Sequence, residues 1–137
     1  MTHWLVKSEP DVYSFATLQK DKRTRWDGVR NFTARNNLRA MQVGDIVLFY
    51  HSNIGKEIVG IAKVVKTAYK DPKSPDEDWS AVDIAPVKAL TQAVTLAQVK
   101  ADPQLKDFQL VRYSRLSVAQ VSDAELTHIL ELSRTKL

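Results

Sequence analysis

Asp45-Ile46-Val47-Leu48-Phe49-Tyr50-His51, then Ser52-Asn53-Ile54-Gly55-Lys56, then Glu57-Ile58-Val59-Gly60-Ile61-Ala62-Lys63-Val64-Val65-Lys66-Thr67-Ala68 is the stretch that decides the fold. Two runs rich in β-branched and aromatic residues flank five residues that include a glycine, the composition of a hairpin. Working outward, His3 to Lys7, Ala81 to Leu90 and Ser117 to Val121 carry further strand signals, with antiparallel neighbours as the default. Helix starts fall between them. Ser14 is placed to cap a helix through Lys20, Asn31 one through Met41, and Thr95 one over Leu96 to Ala101. Ser122-Asp123-Ala124-Glu125 has the form of a capping box, followed by Leu126, Ile129 and Leu130 on one face. Strands with peripheral helices and no βαβ alternation predict an α+β domain built on a small bent barrel of five or six strands.

Length and composition agree with one domain over residues 1–137. The chain is 44% hydrophobic and 26% charged, with only 4 glycines and 5 prolines, which suits a packed core and argues against low complexity. Asp71-Pro72-Lys73-Ser74-Pro75-Asp76-Glu77-Asp78 reads as a loop inside that domain. Without cysteine there is no disulfide, thiolate metal site or cysteine nucleophile, and the cytoplasm is the expected location. The apolar residues before Lys7 are too few for a signal segment, and no apolar run approaches 18 residues, so no membrane passage is expected.

The net charge of +4 is unevenly spread. Lys20, Lys22, Arg23, Arg25, Arg30, Arg35 and Arg39 face only Asp21 and Asp27 within one segment, interleaved with Trp26, Asn31, Phe32, Asn36 and Asn37. Charge clustering alone more often marks a solvated face, but the aromatic and amide content suits a polyanion with stackable bases.

Material for catalysis is poor. His3, His51 and His128 are scattered, with no spacing that puts two imidazoles on one metal, and there is no Gly-x-Ser-x-Gly turn, P-loop or dinucleotide fingerprint. Asp76, Glu77 and Asp78 read as a solvated loop rather than a cation site. The reading is therefore no enzyme, no metal and no cofactor. Polar residues cluster instead at strand ends, Ser8 and Glu9 after the first strand and His51, Ser52 and Asn53 after the second, where ligand pockets are commonly built. Trp4 suits the core. Trp26 and Trp79 flank segments without periodicity and are candidates to sandwich a planar base.

A run of motifs then carries a family resemblance: Trp4-Leu5-Val6-Lys7-Ser8-Glu9-Pro10 with Tyr13-Ser14, and Trp26-Asp27-Gly28-Val29-Arg30-Asn31-Phe32 with Ala34-Arg35-Asn36. Gly44-Asp45, Phe49-Tyr50-His51-Ser52-Asn53, Val59-Gly60-Ile61-Ala62, Trp79 with Val82-Asp83, and Arg115-Leu116-Ser117-Val118 follow in order. The sequence resembles the EVE domain family of the PUA-like superfamily, related to YTH domains. That resemblance implies a bent pseudo-barrel that binds DNA or RNA carrying a modified base.

Carried over by motif, the implied base pocket comprises Lys7, Ser8, Trp26, Asn31, Ser52 and Asn53, with Trp79 as second wall. Trp26 is expected to stack on the base while Asn31, Ser8 and Asn53 read its edge. Arg23, Arg25, Arg30, Arg35 and Lys63 are expected at phosphates. Arg30 equally suits an ion pair with Asp27, Glu9 or Asp45. Two rival readings stay open: an enzyme acting on a nucleobase through Glu9 or His51, and a protein interaction module using Arg35 and Arg39.

Overall fold

The central hairpin forms where the sequence places it. In a computed structural model, which describes residues 2–76 and 78–137, β3 (Ile46–His51) pairs antiparallel with β4 (Glu57–Lys70), from Ile46 opposite Lys63 to His51 opposite Glu57. In the connecting turn Asn53 and Gly55 adopt left-handed backbone, with φ of 63° and 85°, which asparagine and glycine tolerate best. The remaining strands are β1 (His3–Ser8), β2 (Thr24–Trp26), β5 (Ser80–Thr95) and β6 (Val118–Val121). They form one sheet in the order β2-β5-β4-β3-β1-β6. The bend comes from β4 and β5, 14 and 16 residues long, whose pairing shifts register at several points. The sheet curls without closing, since β2 and β6 remain its two edges.

Three expectations need correction. β1 and β3 run parallel, Trp4 opposite Val47, because the connection between them contains two helices and a strand and is long enough for a crossover. β5 continues past Leu90 to Thr95 through polar Thr91 and Gln92, held by Ile58 opposite Val94 and Glu57 opposite Thr95. Trp26 lies in a strand rather than an irregular segment; its pairing with Val82 is long-range and leaves no local period to read.

Helices α1 (Phe15–Asp21), α2 (Phe32–Ala40), α3 (Leu96–Ala101), α4 (Gln109–Arg112) and α5 (Asp123–Leu132) surround the sheet. Side-chain oxygens of Ser14, Asn31, Thr95 and Ser122 accept backbone N–H bonds at the first turns of α1, α2, α3 and α5. Phe15, the first residue of α1, lies flat over β4 at Gly60, where a Cβ would come within 2.4 Å of its ring. His51 Nε2 accepts the Phe15 N–H at 3.1 Å, so the end of β3 fixes the start of α1. The core runs through Trp4, Leu5, Val6, Leu48, Phe49, Ile61, Val82 and Ile84.

Candidate nucleic-acid interface

Trp26 stands at the wall of a cavity of about 650 Å³ whose lining includes Lys7, Ser8, Tyr13, Arg25, Gly28 and Arg30. Its ring makes two near-perpendicular contacts, with Phe49 at 5.5 Å and 81° and with Tyr13 at 6.5 Å and 78°. No described aromatic ring stacks parallel to it, and part of the side chain lines the cavity. Ser8 is positioned by its hydroxyl, which donates to the Tyr13 carbonyl at 2.6 Å. The rim is predominantly basic: Lys7, Arg25, Arg30 and Lys73 against Glu9 and Asp27.

The support behind this wall was not legible in the sequence. Asp71, at the end of β4, has a side chain with 0% exposure; its Oδ2 accepts from Gly28 N at 2.8 Å and from Arg30 Nη1 at 2.9 Å, and its Oδ1 accepts from Lys73 N at 2.8 Å. Arg30 therefore pairs with Asp71 and not with Asp27, Glu9 or Asp45. Asp45 instead accepts from the Trp4 indole and the Gln42 N–H, both at 2.9 Å. Burial alone raises a carboxyl's pKa, but the Arg30 and backbone donors outweigh it and hold Asp71 below its ordinary 3.8. The one sequence signal for this role is Asp71-Pro72-Lys73, a carboxylate two residues before the amide it accepts from.

The other expected pocket residues are distributed around this cavity. Ser52 and Asn53 line a separate, smaller cavity, which Lys7 also lines. Asn31 lines a third depression with Asn37, Tyr113 and Arg115, and its side-chain Oδ1 accepts from Ala34 N at 2.9 Å as the cap of α2. Trp79 does not face Trp26 across the cavity. It stacks on Phe32 at 5.2 Å and 22°, with the guanidinium groups of Arg30 and Arg35 5.5 and 5.8 Å from its ring centre. Trp79 thus stands behind Arg30 rather than opposite Trp26.

Of the cations expected at phosphates, Arg23 donates to Asp83 at 2.8 and 3.2 Å, and Arg25 to Asp27 at 2.9 Å. Arg35 donates to the Asp78 carbonyl at 3.1 Å and to Asn36, while Lys63 is exposed on β4 opposite Ile46 and Ala85. Asp83 also accepts from the Tyr69 hydroxyl, and desolvation together with that carboxylate pushes Tyr69 up to about 12. Burial lowers His51, a neutral acceptor for the Phe15 N–H. Among the described residues no group of three or more His, Asp and Glu is placed to hold a metal ion, and no helix is long and apolar enough to cross a membrane. Glu77 of the acidic loop lies outside the described residues.

Comparison with known proteins places this geometry. The family model of the EVE domain matches residues 2–132. A crystal structure of a protein from Agrobacterium tumefaciens superposes with a TM-score of 0.96 at 39% identity, covering 98% of this chain and 94% of that one. Human thymocyte nuclear protein 1 is 35% identical over 165 residues, 96% of this chain and 73% of that protein. Its structure in complex with 5-methylcytosine-containing DNA matches with a TM-score of 0.91 at 34% identity, both chains being covered completely. A YTH domain of Zygosaccharomyces rouxii, at 15% identity and a TM-score of 0.59, shares the fold. The chain belongs to the EVE domain family.

Proposed function

We propose that this protein is a nucleic-acid-binding module that holds one modified base of DNA or RNA in the Trp26 cavity and carries out no catalysis. The observation that carries the reading is a half-buried tryptophan lining a basic-rimmed cavity, in a chain whose human relative is known in complex with 5-methylcytosine-containing DNA. Trp26 stacks on the base; Ser8 and Lys7 lie where its polar edge is read; Arg25, Arg30 and Lys73 face the backbone. A base turned out of its helix is read by such a pocket through stacking and edge hydrogen bonds. Asn31, Ser52, Asn53 and Trp79 act from the surroundings of this cavity, and Arg23, Arg35 and Lys63 extend the positive surface.

Residues 1–137 form one EVE domain in this reading, supported by a single hydrophobic cluster and by the extent of the family match. The absence of catalysis is supported by the engagement of the two candidate groups: His51 is tied to the Phe15 N–H, and Glu9 accepts from Asn53 at 2.5 Å. The cytoplasmic placement rests on the cysteine-free composition, and nucleic acid is present there.

The test compares oligonucleotides carrying different modified bases with unmodified controls at one salt concentration. Trp26→Ala is expected to cost about 1–3 kcal/mol of affinity for the preferred base and to bring its preference over the unmodified base toward unity. A Trp26→Ala protein that stays folded and keeps its preference would sink the pocket assignment. Mass spectrometry of the recovered oligonucleotide is expected to return unaltered bases; a new base mass that disappears with Glu9→Gln or His51→Ala would overturn the non-catalytic part.

A further inference from the structure

Beside the Trp26 cavity lies a second one of about 220 Å³, lined by Lys7, Lys56, Lys100, Tyr50 and Ser52 among others, and by no carboxylate. Lys7 belongs to both cavities, so the two adjoin. Lys56 and Lys100 also line a neighbouring surface depression of about 300 Å³, again without an acidic residue. Three lysines from β1, the hairpin turn and the end of α3 thus line a small concavity that no carboxylate lines.

The neutral groups are equally one-sided. Tyr50 is only 4% exposed, yet its hydroxyl makes no hydrogen bond among the described residues. It is not sealed in apolar surroundings either, because the one fully enclosed unpaired side-chain atom among them is His3 Nδ1. The phenol therefore opens onto the cavity that its ring lines. The Ser52 hydroxyl is likewise unpartnered among the described residues. Both hydroxyls are thus free to pair with a ligand oxygen. The Lys7 ammonium is held in place by the Ser114 carbonyl at 2.9 Å.

We infer that this cavity is a phosphate subsite, taking the phosphate group attached to the nucleotide whose base lies against Trp26. The inference rests on the base-holding reading above. Ammonium and hydroxyl donors with no carboxylate among the lining residues match a tetrahedral oxyanion, and the shared Lys7 sets the phosphate next to the base pocket. Its small volume and the near-complete burial of its one aromatic residue leave no face for a second base to stack on.

The decisive protein is the Lys56→Gln/Lys100→Gln double variant; both positions are exposed, and a thermal melt checks its fold. Its affinity for a single-stranded oligonucleotide is expected to fall less steeply with salt, the log–log slope shrinking by about 0.7 for the one phosphate no longer neutralised, while the ratio of modified to unmodified affinity stays as in the parent. A methylphosphonate placed at one of the two linkages flanking the modified base is expected to weaken the parent and to leave the variant unaffected. An oligonucleotide ending at that linkage, with and without a terminal phosphate, shows whether a monoester serves as well as the diester; a penalty confined to the parent supports the subsite in either form. An unchanged salt slope, with equal methylphosphonate penalties in both proteins, overturns it. Titration with inorganic phosphate, followed by the NMR shifts of Tyr50 and Ser52, reads the subsite without a base. Shifts without base preference discard the base reading alone, and preference without shifts discards the subsite alone.

Discussion

Trp4 and Trp26 sit in the same sheet and are treated in opposite ways. Trp4 is 1% exposed, and its indole N–H donates to the buried carboxylate of Asp45, itself fastened to the Gln42 N–H. The one polar atom of its side chain has a partner, and its ring is part of the core. Trp26 is half-buried on a three-residue edge strand, packed near-perpendicular to Tyr13 and Phe49, with no hydrogen bond to its indole among the described residues. A side chain so large would be cheaper to bury completely, so its exposed part marks where the fold gives up packing for a cavity. One tryptophan holds the sheet together; the other is presented by it.

The largest expected effect breaks the closed side of this comparison. Trp4→Ala removes a fully buried aromatic and strips Asp45 of one of its donors, and is expected to cost about 3–5 kcal/mol of folding stability, read by urea denaturation. Base preference in the folded fraction is expected to stay as in the parent. If Trp4→Ala costs less than Trp26→Ala in the same denaturation experiment, the assignment of one ring to the core and the other to a ligand is reversed.

The closed side was also the legible side. Trp4 opens the short apolar stretch Trp4-Leu5-Val6, β3 and β4 announce themselves by β-branched residues, and Ser14, Asn31, Thr95 and Ser122 cap helices through bonds spanning three residues. Each of these signals is local. The open side depends on partners far away in sequence. β2 carries no alternation because Thr24 and Trp26 are held by Ile84 and Val82, and Arg30 finds Asp71 across 41 positions. Asn31 illustrates the difference in one residue: its helix-capping role follows from the next three positions, whereas the depression it faces is formed with Gln109 and Tyr113. Trp79 was recognisable as an aromatic near the site, but its stacking on Phe32 follows from where α2 docks.

A smaller effect is expected at Asp71, which stiffens the open side from behind. Asp71→Asn keeps an acceptor but loses the charge facing Arg30, and is expected to cost about 1–3 kcal/mol near neutral pH, since a buried polar cluster loses one partner while Arg30, 39% exposed, regains water. The acid dependence sharpens this. A carboxyl held below 3.8 in the folded state contributes stability that is fully present above that value and is lost as pH falls through the folded one. The parent is therefore expected to lose stability more steeply than Asp71→Asn on acidification below about pH 4. Parallel profiles would show that Asp71 is not the strut of the cavity wall.

The smallest expected effect tests whether that wall is set by its backbone. Gly28 has φ of 75°, its N–H donates to Asp71, and a Cβ built on it meets no atom within 4 Å. Alanine there has space but the wrong backbone preference, so the expected loss is the left-handed strain alone, about 1–2 kcal/mol. Asparagine tolerates this conformation better and is expected to recover part of the loss, which a steric cause would not allow. Neither variant is expected to alter the acid profile, because the Asp71 cluster keeps its donors; binding of the modified base is expected to weaken less than in Trp26→Ala. Should alanine prove as stable as glycine, the turn can rearrange without cost. The Trp26 cavity would then have an adaptable wall on the Gly28 side, in contrast to the rigid packing around Trp4.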